Sequence, residues 1–271
     1  AGGTAALSAL TVNNTAGAGA ITLGGIGAGS AGVTGATAVG NTNTASVTFS
    51  GTTYNANQQT YTAAAGNNLK LTNGATTTFT STDDAIAFNT ADILLSGGTN
   101  LVVNSAGGAI SALAINGTTS EDVTLNANTG TTNTVTVGAI GTGAGKINTV
   151  ALTGSGGVRL NGSITTDANT GNSVTVTGAA TLGANVTIDT SANTGDTTGT
   201  VGFSSTVNDA NAAGTDSLTI KSGGATATIT GVAGGTAALS ALTVNNTAGA
   251  GAITLGGIGA GSAGEIGRAH V

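Results

Sequence analysis

The chain has 271 residues, of which 48 are glycine and only 6% are charged, and its formal net charge is −6. It contains no cysteine, which excludes a disulfide framework and a thiolate metal site. The five Lys and Arg residues are scattered, which argues against nucleic acid as a partner, and no run of 18 apolar residues is present to form a membrane-spanning helix. Aromatic residues are 2% and hydrophobic residues 39% of the chain, which indicates β-structure with a thin core and many turns.

The sequence opens with a stretch that returns near its end. Residues 1–32, the N-terminal copy, read AGGTAALSALTVNNTAGAGAITLGGIGAGSAG, and residues 233–264, the C-terminal copy, repeat them letter for letter. Self-similarity at a fixed spacing is typical of solenoids and arrays, so we predict a chain built by repetition. Each copy holds two short apolar strands, marked in the N-terminal copy by Leu7, Leu10 and Val12 and by Ile21 and Leu23.

Short apolar pairs recur along the rest of the chain, with one residue between the two members of each pair. Successive residues of a strand point to opposite faces, so each pair predicts a strand with an apolar inner side and a polar outer side. We find no long apolar stripe at helical spacing. In chain order the pairs are Val47/Phe49, Leu69/Leu71, Ile93/Leu95, Leu101/Val103, Leu113/Ile115, Val123/Leu125, Val135/Val137, Val150/Leu152, Val158/Leu160, Val174/Val176, Val186/Ile188 and Leu218/Ile220.

Corners rich in Asn, Gly, Asp and Ser separate the predicted strands, as at Asn73-Gly74 and Asn161-Gly162. Asn and Gly tolerate the left-handed backbone conformation that tight corners need. Strands and corners at this spacing fit a solenoid or a sandwich array. The absence of Pro, the lack of a Trp or Cys to anchor a sandwich core, and the abundance of Ala and Gly favour the solenoid. We predict an all-β parallel β-helix (β-solenoid), an elongated rod with about 20–25 residues per turn and roughly ten turns.

The segment GGTAALSALTVNN followed by GAITLGG resembles the strand repeats of filamentous-haemagglutinin-like and autotransporter-type bacterial surface proteins. TGAATLGANVTID and VGFSSTVNDANAAGTDSLTIKSGG continue the likeness, which spreads over most of residues 1–264. The resemblance implies a right-handed parallel β-helix that forms a secreted shaft, exported by type V secretion, and holds an adhesive tip away from the cell. It also implies an extracellular location at the bacterial cell surface, and partners on host or neighbouring cells that bind parts outside this chain.

The last seven residues, Glu265–Val271, break the pattern. One back-translation of them resembles read-through into a sequencing adapter, so we interpret residues 265–271 as a non-native tail and residues 1–264 as a single β-solenoid segment. We expect an internal part of a longer protein, made of tandem units in which Val33-like sequence follows Gly264. Because the two copies are identical, neither is a specialised cap, and their open strand edges favour end-to-end association.

Two adjacent acid pairs, Asp83-Asp84 and Glu121-Asp122, are the candidates for catalysis or calcium binding. A glycosidase or a calcium-dependent lyase built on a β-helix would need such carboxylates. Both pairs, however, come just before a predicted strand, where an acidic side chain suits a corner, and no aromatic platform or basic cluster accompanies them. We therefore predict no catalytic residue, no cofactor site and no metal site.

Outward residues offer a second kind of candidate site. Lys70 and Arg159 each stand between two apolar residues and should point outward. Threonines spaced two apart would form an ice-binding face if they were stacked flat, although Thr is a common outward residue on any strand. These threonine pairs are Thr134/Thr136, Thr175/Thr177, Thr226/Thr228 and Thr228/Thr230.

The sequence favours a structural function over two alternatives. The first hypothesis is a shaft of a secreted bacterial cell-surface adhesin, which is not an enzyme, needs no cofactor and contacts no nucleic acid. The alternative is a binding module whose outward Thr/Asn face recognises glycan or ice. A β-helical polysaccharide-degrading enzyme is the third hypothesis and ranks below both, because the acid pairs already have a corner role.

Overall fold

The computed structural model describes residues 1–14, 17–27, 32–66, 68–142, 147–167, 171, 173–192, 198–246, 251–259 and 269–270. Within these residues the chain is all β-structure, and no helix is present that is long and apolar enough to cross a membrane. The strands pair in parallel with strands of neighbouring coils. This arrangement confirms the β-solenoid predicted from the sequence.

Short strands of two to ten residues build the coils, and the described residues contain 27 of them. In chain order they are β1 Leu10–Val12, β2 Ala20–Leu23, β3 Val33–Val39, β4 Ser46–Phe49, β5 Thr53–Thr62, β6 Leu69–Leu71, β7 Thr77–Ser81, β8 Ile86–Asn89, β9 Ile93–Leu95, β10 Leu101–Ser105, β11 Ile110–Ala112, β12 Ile115–Asn116, β13 Glu121–Ala127, β14 Thr134–Val137, β15 Ile147–Gly154, β16 Gly157–Leu160, β17 Ile164–Thr165, β18 Ser173–Thr177, β19 Ala180–Leu182, β20 Val186–Asp189, β21 Thr200–Phe203, β22 Val207–Asp209, β23 Ser217–Ser222, β24 Ala227–Ala233, β25 Ala241–Asn246, β26 Ile253–Ile258 and β27 Ala269–His270.

Each coil has three faces, which follow one another in chain order. The first face carries β7, β10, β13, β15, β18 and β21, and the second carries β1, β8, β11, β14, β16, β19 and β22. The third face carries β2, β4, β6, β9, β12, β17, β20, β23, β25 and β27. Strands β3, β5, β24 and β26 run through the corner between the first and second faces.

An unbroken ladder of buried side chains lines the inside of the third face. Its ten positions are separated by nine intervals of 22 to 32 residues, a wider range than the sequence predicted. With about 4.8 Å between paired strands, nine intervals give a stack about 43 Å high. The ladder consists of Ile21, Val47, Leu69, Ile93, Ile115, Ile140, Ile164, Ile188, Ile220 and Val244.

Alternation along the strands predicts most of this core correctly. Val176 is fully buried, for example, whereas its neighbour Thr175 is exposed. The prediction that Leu113 and Leu7 point inward is wrong. Leu113 is 46% exposed because it lies in the corner between β11 and β12. Leu7 is 37% exposed, and among the described residues it pairs with Val33 of the following coil.

The aromatic residues are concentrated near one end of the core. Five rings from neighbouring coils contact one another edge-on or stacked, with centroids 4.8 to 5.5 Å apart. Such pairs stabilise a core beyond the area they bury, which compensates for the small residues elsewhere. The five residues are Phe49, Tyr54, Tyr61, Phe79 and Phe88.

A buried glutamine interrupts the apolar lining beside these rings. Gln59 occupies an inner position of the second face, paired with Ile86 in the next coil. Its amide nitrogen donates to the carbonyl oxygens of Tyr54, Ala56 and Thr80, and its oxygen accepts from the Tyr61 hydroxyl at 2.8 Å. These bonds satisfy the amide, so Gln59 has a structural role and is closed to solvent.

Backbone conformation explains why glycine stands at some corners. Gly40 directly follows β3 and has a φ of +75°, a conformation that side chains disfavour. A Cβ atom there would lie 2.1 Å from the carbonyl oxygen of Thr62 in the next coil. Only glycine allows the two coils to approach this closely.

Candidate functional site

Glu121 lies inside a corner rather than on an open surface. It begins β13, is 1% exposed, and accepts five hydrogen bonds. Four come from the amides and hydroxyls of Thr118 and Thr119, at 2.7 to 3.1 Å, and one from the amide of Gly98 in the preceding coil. Burial alone would raise the pKa of Glu121, but these hydrogen bonds outweigh burial and lower it below its ordinary value. A closed, ionised carboxylate of this kind stabilises a corner and has no access to a substrate.

Asp122 points to the other side of the strand and ties two coils together. Its Oδ1 accepts hydrogen bonds from the Asn148 amide side chain at 2.9 Å and from the Thr149 hydroxyl at 2.7 Å. Both partners belong to β15, the next strand of the first face. The two neighbouring carboxylates therefore have separate roles, because Glu121 stabilises a corner and Asp122 links two coils. They do not face a common site.

Asp83 and Asp84 lie together in the exposed corner between β7 and β8. Asp84 Oδ2 accepts from the Asn57 side-chain amide at 3.1 Å, and the Asp84 backbone amide donates to Ser81 Oγ at 3.0 Å. These contacts are those of an acidic residue that stabilises a turn. The sequence-based corner interpretation of this pair agrees with its position.

A third acidic corner was not singled out from the sequence. Asp209, at the end of β22, is buried and accepts hydrogen bonds from Asn211, Thr215 and Asp216, at 2.8 to 2.9 Å. Burial alone would raise the pKa of Asp209, but the hydrogen bonds lower it below its ordinary value. In the sequence this corner is indicated by Asn211, two residues after Asp209, and by the adjacent pair Thr215-Asp216. This loop also contributes to the longest interval of the third-face ladder, between Ile188 and Ile220, because nine positions separate Asp209 from Leu218 and only four separate their partners Leu182 and Val186.

The basic side chains that the structure describes, those of Lys70, Arg159 and Lys221, lie on the outside of the coils. Lys70 and Arg159 lie at outer strand positions, as predicted, and Arg159 Nε donates to Asn161 Oδ1 at 2.9 Å. Lys221 lies 3.6 Å from Asp189 on the third face. Among the described residues, no three His, Cys, Asp or Glu side chains come together in a way that would hold a metal ion.

The predicted threonine pairs do not form one flat face. Thr134 and Thr136 lie on the second face, where Thr136 pairs with Arg159 in the next coil. Thr175 and Thr228 both lie on the first face, but Gly202 stands between them. The outer row that contains them alternates threonine with small or apolar residues: Thr78, Val102, Thr124, Ala151, Thr175, Gly202, Thr228 and Thr254.

A continuous polar row does run along the neighbouring outer position of the first face. It consists of one residue from each of six successive coils, and every member is Asn or Thr. We call this row the Asn/Thr stripe: Asn55, Thr80, Asn104, Asn126, Thr153 and Thr177. Successive side chains are about 4.8 Å apart, so hydroxyls and amides repeat at the coil spacing.

The stripe borders two depressions that share Thr80. One, of about 390 Å³, lies beside Asn55 and Asn57, and the other, of about 290 Å³, lies beside Asn104 and Asn126. Asn126 donates to Asn104 Oδ1 at 3.4 Å, while its own Oδ1 is buried and accepts no hydrogen bond. The stripe thus combines neutral donors and acceptors, but the buried Asn126 Oδ1 is closed to an external ligand.

The chemistry of the stripe favours neutral, hydroxyl-bearing ligands. Asn and Thr supply donors and acceptors without charge, so they suit hydroxyl groups better than metal ions or phosphates. Stacking of a sugar ring on an aromatic side chain has no support here, because all six aromatic side chains of the chain are buried. Burial raises the pKa of Tyr54 to about 12, although the Gly51 amide donates a hydrogen bond to its hydroxyl oxygen, and burial raises the pKa of Tyr61 well above its ordinary value.

Comparisons of the chain with protein-family models, curated proteins and solved structures found no match.

Proposed function

We propose that this chain is a shaft segment of a secreted bacterial cell-surface adhesin. The observation that carries the proposal is the unbroken stacking of coils: on the third face ten successive inner positions pair in parallel without a gap. A structure that gains length by adding similar layers suits a spacer better than a pocket. The sequence resemblance to filamentous-haemagglutinin-like and autotransporter-type proteins supports the same function and an extracellular location.

The shaft acts mechanically. Backbone hydrogen bonds between coils run along the stack, so tension along the rod loads these bonds together with the core contacts between neighbouring coils. Acidic side chains strengthen the corners, as Glu121 does by bonding to Gly98 in the coil before it. The adhesive partner then binds a part of the protein outside this chain.

The Asn/Thr stripe favours a second candidate function. Its repeating hydroxyls and amides and the depression beside Asn104 support binding of a glycan or of ice. A polysaccharide-degrading enzyme gains no such support, because the carboxylates of Glu121 and Asp209 are already saturated with hydrogen bonds.

One set of binding assays separates the two functions. The purified full chain is applied to a glycan array and to an ice-recrystallisation assay, beside the variant Asn104→Ala/Asn126→Ala and the matched control Thr175→Ala on the adjacent outer row. The shaft proposal predicts no binding to either target by any of the three proteins. Binding that the double variant loses and the control keeps would contradict the shaft proposal and establish the stripe as a ligand site.

The mechanical function has its own test. Single-molecule stretching of the chain between its termini should lengthen it in steps of one coil. Coils of 22 to 32 residues correspond to steps of roughly 75–115 Å at full extension. A single extension of the whole chain at low force would argue against a load-bearing shaft.

A further inference from the structure

The chain contains three Asn-Gly pairs, Asn73-Gly74, Asn116-Gly117 and Asn161-Gly162. In such a pair the backbone nitrogen of the glycine can attack the side-chain carbonyl carbon of the asparagine, because glycine has no side chain to obstruct the approach. The attack needs a free glycine N–H, a free side-chain amide and access to water. The three pairs have the same two residues, so the structure around each pair decides which of them reacts.

Hydrogen bonds hold both reacting groups of the first pair. Asn73 Nδ2 donates to the Gly51 carbonyl oxygen at 2.7 Å and to Thr77 Oγ1 at 2.5 Å. The Gly74 N–H donates to Thr99 Oγ1 at 2.8 Å. Because the attacking nitrogen and the leaving amide are both bonded to other groups, Asn73-Gly74 should be unreactive.

Burial protects the second pair. Gly117 directly follows β12 and is buried, whereas Gly162 is partly exposed. The reaction begins when hydroxide takes the proton of the glycine N–H, and hydroxide does not reach a buried amide. The Asn116-Gly117 pair should therefore also stay intact.

The third pair is open to solvent, and its reacting groups are free. Asn161 directly follows β16, is exposed, and lines a depression of about 440 Å³ beside Leu113 and Gly138. Among the described residues, no acceptor is bonded to the Gly162 N–H or to Asn161 Nδ2. Water therefore reaches both the nitrogen that attacks and the amide that leaves.

A charged side chain contacts the carbonyl oxygen of this amide. Arg159 Nε donates to Asn161 Oδ1 at 2.9 Å. Both side chains lie over Gly183 in the next coil, where a Cβ atom would be 2.1 Å from Asn161 Oδ1 and 2.9 Å from a guanidinium nitrogen. A cationic donor that already faces this oxygen stabilises the negative charge that develops there when the nitrogen attacks the carbon.

We propose that Asn161 is a site of self-modification, at which the backbone nitrogen of Gly162 displaces the side-chain amide with the assistance of Arg159. Hydroxide takes the proton from the Gly162 nitrogen, which then bonds to Asn161 Cγ, and negative charge passes to Oδ1 beside Arg159. The charge returns to the carbonyl as the Cγ–Nδ2 bond breaks, and the leaving nitrogen takes a proton from water and departs as ammonia. One water molecule then opens the resulting succinimide ring to aspartate or to isoaspartate.

The two products have different effects on the coil. In the aspartyl product the new carboxylate faces Arg159 and pairs with it, so the coil keeps its form. In the isoaspartyl product the main chain gains one methylene group before Gly162. That corner is tightly packed, because a Cβ atom on Gly162 would lie 2.6 Å from the Ala139 nitrogen of the preceding coil. The isoaspartyl chain should therefore exchange the amide hydrogens of β16 and β17 faster than the unmodified chain.

The test follows the folded full chain at mildly alkaline pH in water enriched in heavy oxygen. Peptide mass spectrometry should show that Asn161 gains a carboxyl group with one heavy oxygen atom, while Asn73 and Asn116 remain amides. The rate should rise in proportion to the hydroxide concentration. Arg159→Gln keeps a side-chain N–H but removes the charge, so it should slow conversion of Asn161 by roughly tenfold. The control Lys70→Gln removes a distant positive charge and should leave the rate unchanged.

Denaturation separates the effect of the structure from that of the sequence. In concentrated urea the three pairs should react at similar rates, and Arg159→Gln should have no effect. Equal rates at the three pairs of the folded chain overturn the proposal, as does a preference for Asn161 that persists in urea. An unchanged rate in folded Arg159→Gln overturns the assistance by Arg159. The comparison of the three pairs uses the unaltered chain, so it decides even if Arg159→Gln loses the circular dichroism of the fold.

Discussion

Replacement of Val176 by aspartate tests the inner and outer alternation most severely. Val176 is fully buried on the first face, between Leu152 in one adjacent coil and Phe203 in the other. Loss of a buried valine side chain costs about 1.5–3 kcal/mol. An unpaired carboxylate in the same position adds several kcal/mol, so we expect the free energy of unfolding to fall by roughly 5 kcal/mol or more.

Two matched variants isolate the reason for that loss. Thr175→Asp places the same carboxylate one residue away, where the side chain is exposed and pairs with Ala151 and Gly202, and it should cost less than about 1 kcal/mol. Val176→Thr keeps the shape of valine and buries one hydroxyl, which should cost about 1–3 kcal/mol.

Guanidinium melts followed by far-ultraviolet circular dichroism measure all three variants. Because stacked coils can open locally, amide hydrogen exchange in β15, β18 and β21 should accompany the melts. The expected order of loss is Val176→Asp, then Val176→Thr, then Thr175→Asp. Equal losses for the two aspartate variants would refute the assignment of inner and outer sides.

Three further predictions concern ionisation and backbone strain. The hydrogen bonds of Glu121 hold its pKa below the ordinary 4.5, so its contribution to stability is complete above pH 4.5 and is lost as the pH falls below it. The free energies of unfolding of the chain and of Glu121→Gln should therefore differ by about 2–3 kcal/mol near pH 7 and converge at low pH, as measured by melts over a pH series. Burial raises the pKa of Tyr54 to about 12, so stability should fall as pH rises above 10, and tyrosine absorbance near 295 nm should not change below pH 11 unless the chain unfolds. Ser120 has a φ of +71°, so Ser120→Gly should raise the free energy of unfolding by about 0.5 kcal/mol in denaturant melts, whereas Ser111→Gly within β11 should lower it.

Period-two patterning predicted much of the fold because each strand is amphipathic on its own. A residue such as Val123 or Ile188 is apolar between polar neighbours, and only the inner side of a strand offers burial. The coil length was harder to predict, because it depends on corners whose size varies. The Asp209 loop lengthens one coil without changing the pattern of the strands around it.

The displacement of the two copies by one face was beyond the reach of the sequence. Leu10 and Leu242 have identical local surroundings in the sequence. Their faces differ because Leu10 is in register with Thr37 on the second face, whereas Leu242 is in register with Leu218 on the third. The Asn/Thr stripe was missed for a related reason. Its members become neighbours only through inter-coil register, and a single strand such as β10 shows no more than one of them.

Distances along the outer row of the first face test the stacking of coils most directly. The chain has no cysteine, so pairs of introduced cysteines can carry spin labels without interference. Thr78 is separated from Thr175 by four coil intervals, from Thr228 by six and from Thr254 by seven. Pulsed electron resonance on the double variants Thr78→Cys with Thr175→Cys, Thr228→Cys or Thr254→Cys should give distances between the labelled backbones of about 19, 29 and 34 Å. Distances that fail to grow with the number of intervals would contradict the β-solenoid and the shaft proposed from it.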